Sequence, residues 1–109
     1  MQKSKYKDGI SVIVTVFNKE EYILQTLDSA VSQFKKSKNK CQIIVVDDSS
    51  QDGSYQLAKD FLFSRKVDYK ILKKTNSGPS LATNAALKFV KYSYIKILDG
   101  DDILSPDSL

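Results

Sequence analysis

Two stretches of this chain share a design that restricts the fold: an apolar run with no helical period that stops abruptly at carboxylates. Gln42-Ile43-Ile44-Val45-Val46 ends in Asp47-Asp48, and Tyr94-Ile95-Lys96-Ile97-Leu98 ends in Asp99-Gly100-Asp101-Asp102. Runs this short and this apolar predict strands of a parallel sheet, covered on both faces. Strands of that kind deliver whatever follows them to one rim, and here both deliver acid. In open α/β sheets that rim, outside the carboxyl ends of the strands, is where ligands bind. Crowded carboxylates repel one another unless a cation or hydrogen-bond donors hold them. Their hard oxygens suit Mg²⁺ or Mn²⁺. The same residues also fit a plain acidic turn, since Asp-Gly is a common turn dipeptide.

The residues between these runs set the fold class. Ile10 to Phe17 is rich in β-branched residues and apolar on both parities, so it predicts another buried strand, ending at Asn18. Ile23, Leu24, Leu27, Ala30, Val31 and Phe34 then recur at helical spacing, with Asn18 as expected cap and Glu20 and Glu21 in the first turn. After Asp52, a second candidate cap, Leu57, Ala58, Phe61 and Leu62 form the next helical stripe. Val67, Tyr69 and Ile71 alternate with polar residues, as in a half-exposed strand near an edge. Pro79 fits the first turn of a third helix, whose small residues Ala82, Ala85 and Ala86 allow close approach to the sheet. The order β-α-β-α-β-α-β specifies a three-layer α/β/α domain with a mostly parallel sheet and right-handed crossovers. The expected strand order is 3-2-1-4, which puts a topological switch point between the first and fourth strands.

Composition narrows the chemistry. With 109 residues, 41% hydrophobic and 28% charged, the chain is a single soluble-type domain, residues 1–109. It has no His and one Cys, which excludes a His-dependent triad, an internal disulfide and a zinc site. No apolar run approaches the ~20 residues that span a bilayer, so the expected location is cytoplasmic. The net charge of +4 rests almost wholly on dispersed lysines. They predict solvated helix ends rather than a nucleic-acid surface, and they are compatible with weak association with an anionic membrane face. A dinucleotide fold needs a Gly-rich turn after its first strand, where this chain has Asn18-Lys19-Glu20-Glu21, and a P-loop motif is nowhere present. Ser105-Pro106-Asp107 reads as a helix start, so the chain is expected to be the truncated first portion of a longer domain.

At Val12 to Asn18, Ile44 to Ser54, Asn76-Ser77-Gly78 with Ala82-Thr83-Asn84, and Tyr94 to Asp102 with Pro106 and Leu109, the chain resembles the family 2 glycosyltransferases. These are inverting enzymes with the GT-A fold, a Rossmann-like nucleotide-diphospho-sugar transferase fold, and four blocks in family order are a specific match. The resemblance implies a nucleotide-sugar site built from Thr15, Val16, Phe17, Asn18, Glu20, Asp47, Asp48, Gly78, Asp99, Gly100 and Asp101. Thr15 and Phe17 would line the base pocket, and Asp48 would accept from a uracil N–H. Asp99 and Asp101 would form the family's Asp-x-Asp motif, with Asp101 the nearer ligand of Mg²⁺ or Mn²⁺. The implied partners are a UDP-sugar donor and a saccharide or lipid-linked acceptor in cell-envelope polysaccharide synthesis. Thr15 and Thr83 stand where many members have Pro and Arg, so an Arg contact to the donor phosphate is lost or taken over by a lysine. The general base is expected beyond Leu109, with Asp102 as the only nearby substitute. A non-catalytic nucleotide-binding or assembly module is the alternative, and a phosphoryl-transfer enzyme a third. An exposed fourth-strand edge predicts a two-fold dimer of the isolated chain.

Overall fold

The computed structural model describes residues 6–75, 79–106, 108 and 109. Four parallel strands, β1 (Lys7–Val16), β2 (Cys41–Asp48), β3 (Tyr69–Lys74) and β4 (Tyr92–Asp99), alternate with helices α1 (Ile23–Val31), α2 (Ser54–Arg65) and α3 (Pro79–Leu87). The sheet order is β3-β2-β1-β4, as expected from which runs were fully apolar and which alternated. In register, Thr15 stands between Val46 on β2 and Asp99 on β4.

The alternation of side chains along β1 and β2 divides the core in two. Val12, Val14, Val16, Ile43 and Val45 pack with Ile23, Leu27 and Ala30 of α1 and with Ala58 and Leu62 of α2. Ile13, Ile44 and Val46 pack against Ala82 and Ala86 of α3 on the other face. Full burial of a side chain the size of Leu27 stabilises the fold by about 1.5–3 kcal/mol, so the helical stripes hold the layers on the sheet.

Three local expectations give way to tertiary structure. The fourth strand lies at the edge of the sheet, as the strand order implied, but it was expected to be covered on both faces and is not. Tyr94 and Ile97 are 59% and 54% exposed. The physical reason is that α3 packs on β1 and β2, leaving the flank of β4 uncovered. The first helix begins at Ile23 rather than near Lys19, and Asn18 is not its cap. Asn18 takes a left-handed conformation (φ 51°) and directs its side chain to the neighbouring loop. Among the described residues here, Ser105, Pro106, Ser108 and Leu109, none is helical, and Pro106 lies in a turn. There Gln33 at the end of the α1 segment accepts the N–H groups of Ser108 and Leu109 and donates to the Ser105 carbonyl. Among the described residues no helix is long and apolar enough to cross a membrane.

Candidate functional site

The carboxyl ends of β1, β2 and β4 come together at one rim, and the register sorts their side chains by face. Thr15 and Asp48 follow Ile13 and Val46 onto the α3 face, and Asp99, opposite Thr15, joins them. Val16 and Asp47 follow Val14 and Val45 onto the face of α1 and α2. Thr15 is half-buried and Asp48 is buried, so the α3 side carries a hydroxyl and a carboxyl at the rim, while Phe17, just past β1, is exposed.

Two expected site residues lie beneath this rim rather than on it. Val16 is a core side chain, and Asp47 is 0% exposed. One Asp47 oxygen accepts the Ser50 N–H at 3.3 Å, while Oδ1 has no hydrogen-bond partner. A buried carboxyl oxygen without a donor costs free energy, so this residue supports the turn after β2 at some expense to stability. Gly78 lies outside the described residues.

The loops after β1 and β2 are stitched together residue by residue. The Asn18 N–H donates to Ser50 Oγ at 2.9 Å, and Asn18 Oδ1 accepts the Gln51 N–H at 2.8 Å. The Lys19 N–H donates to Ser54 Oγ at 2.8 Å, and the Glu20 N–H to Asp52 at 3.2 Å. Glu20 in return accepts the Gly53 N–H at 2.8 Å. The approach is close: a Cβ at position 53 would stand 2.9 Å from that Glu20 oxygen, which would have to swing aside. Asp52 acts just outside α2, accepting both the N–H and the hydroxyl of Ser54. Burial pushes the Asp52 carboxyl up, but the bonds from Ser54 and Glu20 outweigh it and hold the group below its ordinary value.

The acidic tip is a closed turn. Asp99 Oδ1 accepts the Gly100 N–H at 2.8 Å, and the same N–H reaches the Thr15 carbonyl at 2.9 Å. Thr26 donates its hydroxyl to the Gly100 carbonyl at 2.9 Å. Asp102 accepts the Asp99 N–H at 2.9 Å, which commits its carboxylate to the turn. Asp101 instead holds a cation, the Lys19 ammonium, at 3.1 Å. The hydrogen bond to Asp101, and then the charge of that carboxylate, raise the Lys19 pKa above its ordinary value. Among the described residues no group of three or more His, Cys, Asp or Glu side chains is arranged to hold a metal unaided.

The sequence reading missed Lys19, Ser50, Ser54 and Thr26 as parts of this rim. A signal for Lys19 was available: the predicted strand order sets the loop after the first strand beside the acidic tip of the fourth, and Lys19 is the only basic residue in that loop. The serines and Thr26 carry no such mark, because their contacts depend on where two loops meet.

Comparison with known proteins agrees with this geometry. Minor teichoic acid biosynthesis protein GgaA of Bacillus subtilis (strain 168) is 35% identical over 101 residues, covering 91% of this chain and 23% of GgaA. The crystal structure of S. aureus TarS 1–349 in complex with UDP-GlcNAc superposes with a TM-score of 0.78 at 30% identity, covering 92% of this chain and 28% of that one. The mannosyltransferase PcManGT from Pyrobaculum calidifontis, in complex with GDP-Man and Mn²⁺, has a TM-score of 0.79, covering 90% of this chain and 29% of its own. At 24% identity that last likeness is one of fold alone. The chain therefore spans less than a third of each of these proteins. Residues 11–109, nearly the whole chain, match the family described as Glycosyl transferase family 2. With the parallel β3-β2-β1-β4 sheet and its acid-tipped rim, the chain belongs to that family and has its GT-A fold.

Proposed function

We propose that these 109 residues form the donor-binding portion of an inverting glycosyltransferase, one that transfers a sugar from a UDP-sugar to an acceptor hydroxyl. The observation that supports this best is the convergence of Thr15, Asp48 and Asp99 on one face of the rim, with Asp101 two residues further on and paired with Lys19. In this reading Phe17 and Thr15 contact the base, Asp48 accepts from the uracil N–H, and Asp99 stands near the ribose. The UDP-GlcNAc bound by the related TarS favours a uridine donor.

The acidic tip suits a divalent cation. Asp101 already holds one positive charge in the form of Lys19, and its side chain is open enough for a hydrated ion. Mg²⁺ and Mn²⁺ keep several waters and complete their shells with substrate phosphates, so two carboxylates, Asp101 and Asp99, are a sufficient protein contribution. When bound, the metal would neutralise the leaving diphosphate. Asp102 is bound to the Asp99 N–H, which argues against a role as general base. The base and the acceptor site are assigned to segments outside these residues, in keeping with the greater length of the relatives. The name of GgaA supports a cell-envelope polymer as acceptor. We place the reaction in the cytoplasm, with weak attraction to the inner membrane face, and we propose that exposed Tyr94, Ile95 and Ile97 make the isolated chain a two-fold dimer, measurable by light scattering.

Calorimetric titration of UDP and GDP, each with and without Mn²⁺, tests the donor assignment. UDP is expected to bind more tightly than GDP and more tightly with metal. Failure of both nucleotides to bind in the presence of Mn²⁺ would sink it.

A further inference from the structure

Lys19 lies where the loop after β1 meets the tip of β4, and its side chain is aimed rather than loose. Its N–H is held by Ser54 Oγ, and its carbonyl accepts the N–H groups of Tyr22 and Ile23 at 2.9 and 2.8 Å. The aliphatic stem then crosses Gly100 so closely that a Cβ there would stand 3.0 Å from Lys19 Cγ and 3.3 Å from Lys19 Cβ. Gly100 cannot retreat, because its N–H is bonded to the Thr15 carbonyl and its own carbonyl to Thr26. The missing side chain in Asp99-Gly100-Asp101 is thus a track for the lysine stem, and it ends at Asp101.

This contact is built to be exchangeable. Both partners are partly open to water, at 28% and 40% exposure, and exposed pairs of this kind hold only weakly. Lysine carries a compact charge on a flexible stem and can follow an anion over several ångströms. Lys19 engages only Oδ2 of Asp101, but a divalent cation on the same small carboxylate would stand within a few ångströms of the ammonium, and their repulsion drives Lys19 off as the metal arrives. A diphosphate bridged by that metal would stand beside the released ammonium and carry the charge to receive it.

Resting on the donor-site reading above, we infer that Lys19 is a charge-transfer arm of the site: its ammonium neutralises Asp101 in the free protein and moves to the donor diphosphate when the metal takes Asp101. It thereby couples the two ligands. Metal alone must displace the lysine with no new partner for it, whereas metal with a nucleoside diphosphate supplies that partner. Because linkage is reciprocal, each ligand raises the affinity for the other by the same factor.

The test is a Mn²⁺ titration, followed by the electron-spin signal of free Mn²⁺, of the 109-residue chain and its Lys19→Met variant, with and without UDP. Lys19→Met is expected to bind Mn²⁺ alone about fivefold more tightly, to bind UDP with Mn²⁺ about tenfold more weakly, and to lose most of the coupling. Gly100→Ala, which crowds the stem, and at 3.3 Å the Thr15 carbonyl, without removing the charge, should shift both affinities in the same directions by smaller factors, and it serves if the first variant fails to fold. Unchanged Mn²⁺ affinity without UDP in both variants would overturn the role of Lys19. If the unaltered chain binds no UDP in Mn²⁺, the donor-site reading falls and takes this one with it. If it does bind UDP and the variants match it, only the lysine arm is lost.

Discussion

At the amino end of the sheet, buried Ser11 and Gln42 are engaged with each other and with the backbone. Ser11 Oγ donates to Gln42 Oε1 at 2.6 Å, the same oxygen accepts the Lys91 N–H at 2.7 Å, and the Tyr92 N–H reaches back to Ser11 Oγ at 3.3 Å. Lys91 and Asp68 close that edge with an ion pair of 2.7 Å. At the carboxyl end the groups are less well matched: Asp47 keeps an oxygen without a donor, and half-buried Lys19 meets Asp101 at the longer distance of 3.1 Å. Polar groups closed on one another stabilise a fold and offer nothing to a ligand, whereas groups with unused bonding capacity cost stability and can bind. One end anchors the domain, and the other keeps its chemistry available.

That division breaks or sharpens under substitution. The largest effect belongs to Gly9, at the amino end, where φ is +150° and a Cβ would meet the Lys40 carbonyl and the Tyr92 ring at 2.6 Å. Gly9→Ala is expected to cost about 3 kcal/mol of stability from strain and overpacking, read from the urea midpoint. UDP affinity of the folded fraction should not change, and a drop there would mean that the two ends are not separable. Asp101→Asn, at the other end, is expected to weaken UDP binding in Mn²⁺ about tenfold, or ~1.4 kcal/mol. Its urea midpoint should stay within ~0.5 kcal/mol of the parent, because only an exposed ion pair is lost. Equal metal-dependent affinity in the two proteins would remove Asp101 from the site. The smallest effect is a gain: Asp47→Asn replaces a buried carboxyl whose Oδ1 lacks a donor and should raise stability by about 1 kcal/mol. A lowered midpoint would show that Asp47 is better satisfied than its hydrogen bonds indicate.

Most of the architecture was legible in the sequence because it depends on period. The apolar runs of β1 and β2, the alternation of β3 and the small residues of α3 were enough to order the strands and assign the layers. Period says nothing about what lies beside an element, so the apolar run of β4 looked doubly covered although α3 sits elsewhere. The acidic rim was visible as composition, since Asp48, Asp99 and Asp101 follow apolar strands. Its depth was not: alternation sends adjacent Asp47 and Asp48 to opposite faces, but only the packed layers show that Asp47 lies on the α1 and α2 side and Asp48 on the α3 side. Asn18 illustrates the same limit, because its local preference to cap a helix was overridden by two bonds to the loop after β2.

The bonds that complete the rim join residues far apart along the chain, which has a consequence in time rather than space. Asn18 to Ser50 closes a separation of 32 residues, Thr26 to Gly100 one of 74, and Lys19 to Asp101 one of 82. Closing longer loops costs more chain entropy, and contacts of high sequence separation slow the search for the native state. The first two strands can meet early, but the acidic tip joins them only when the last strand docks. Nucleotide binding during refolding is therefore expected to lag behind recovery of helix and strand content, so a ligand that bridges base pocket and acidic tip reports on the final step of assembly and cannot template the first.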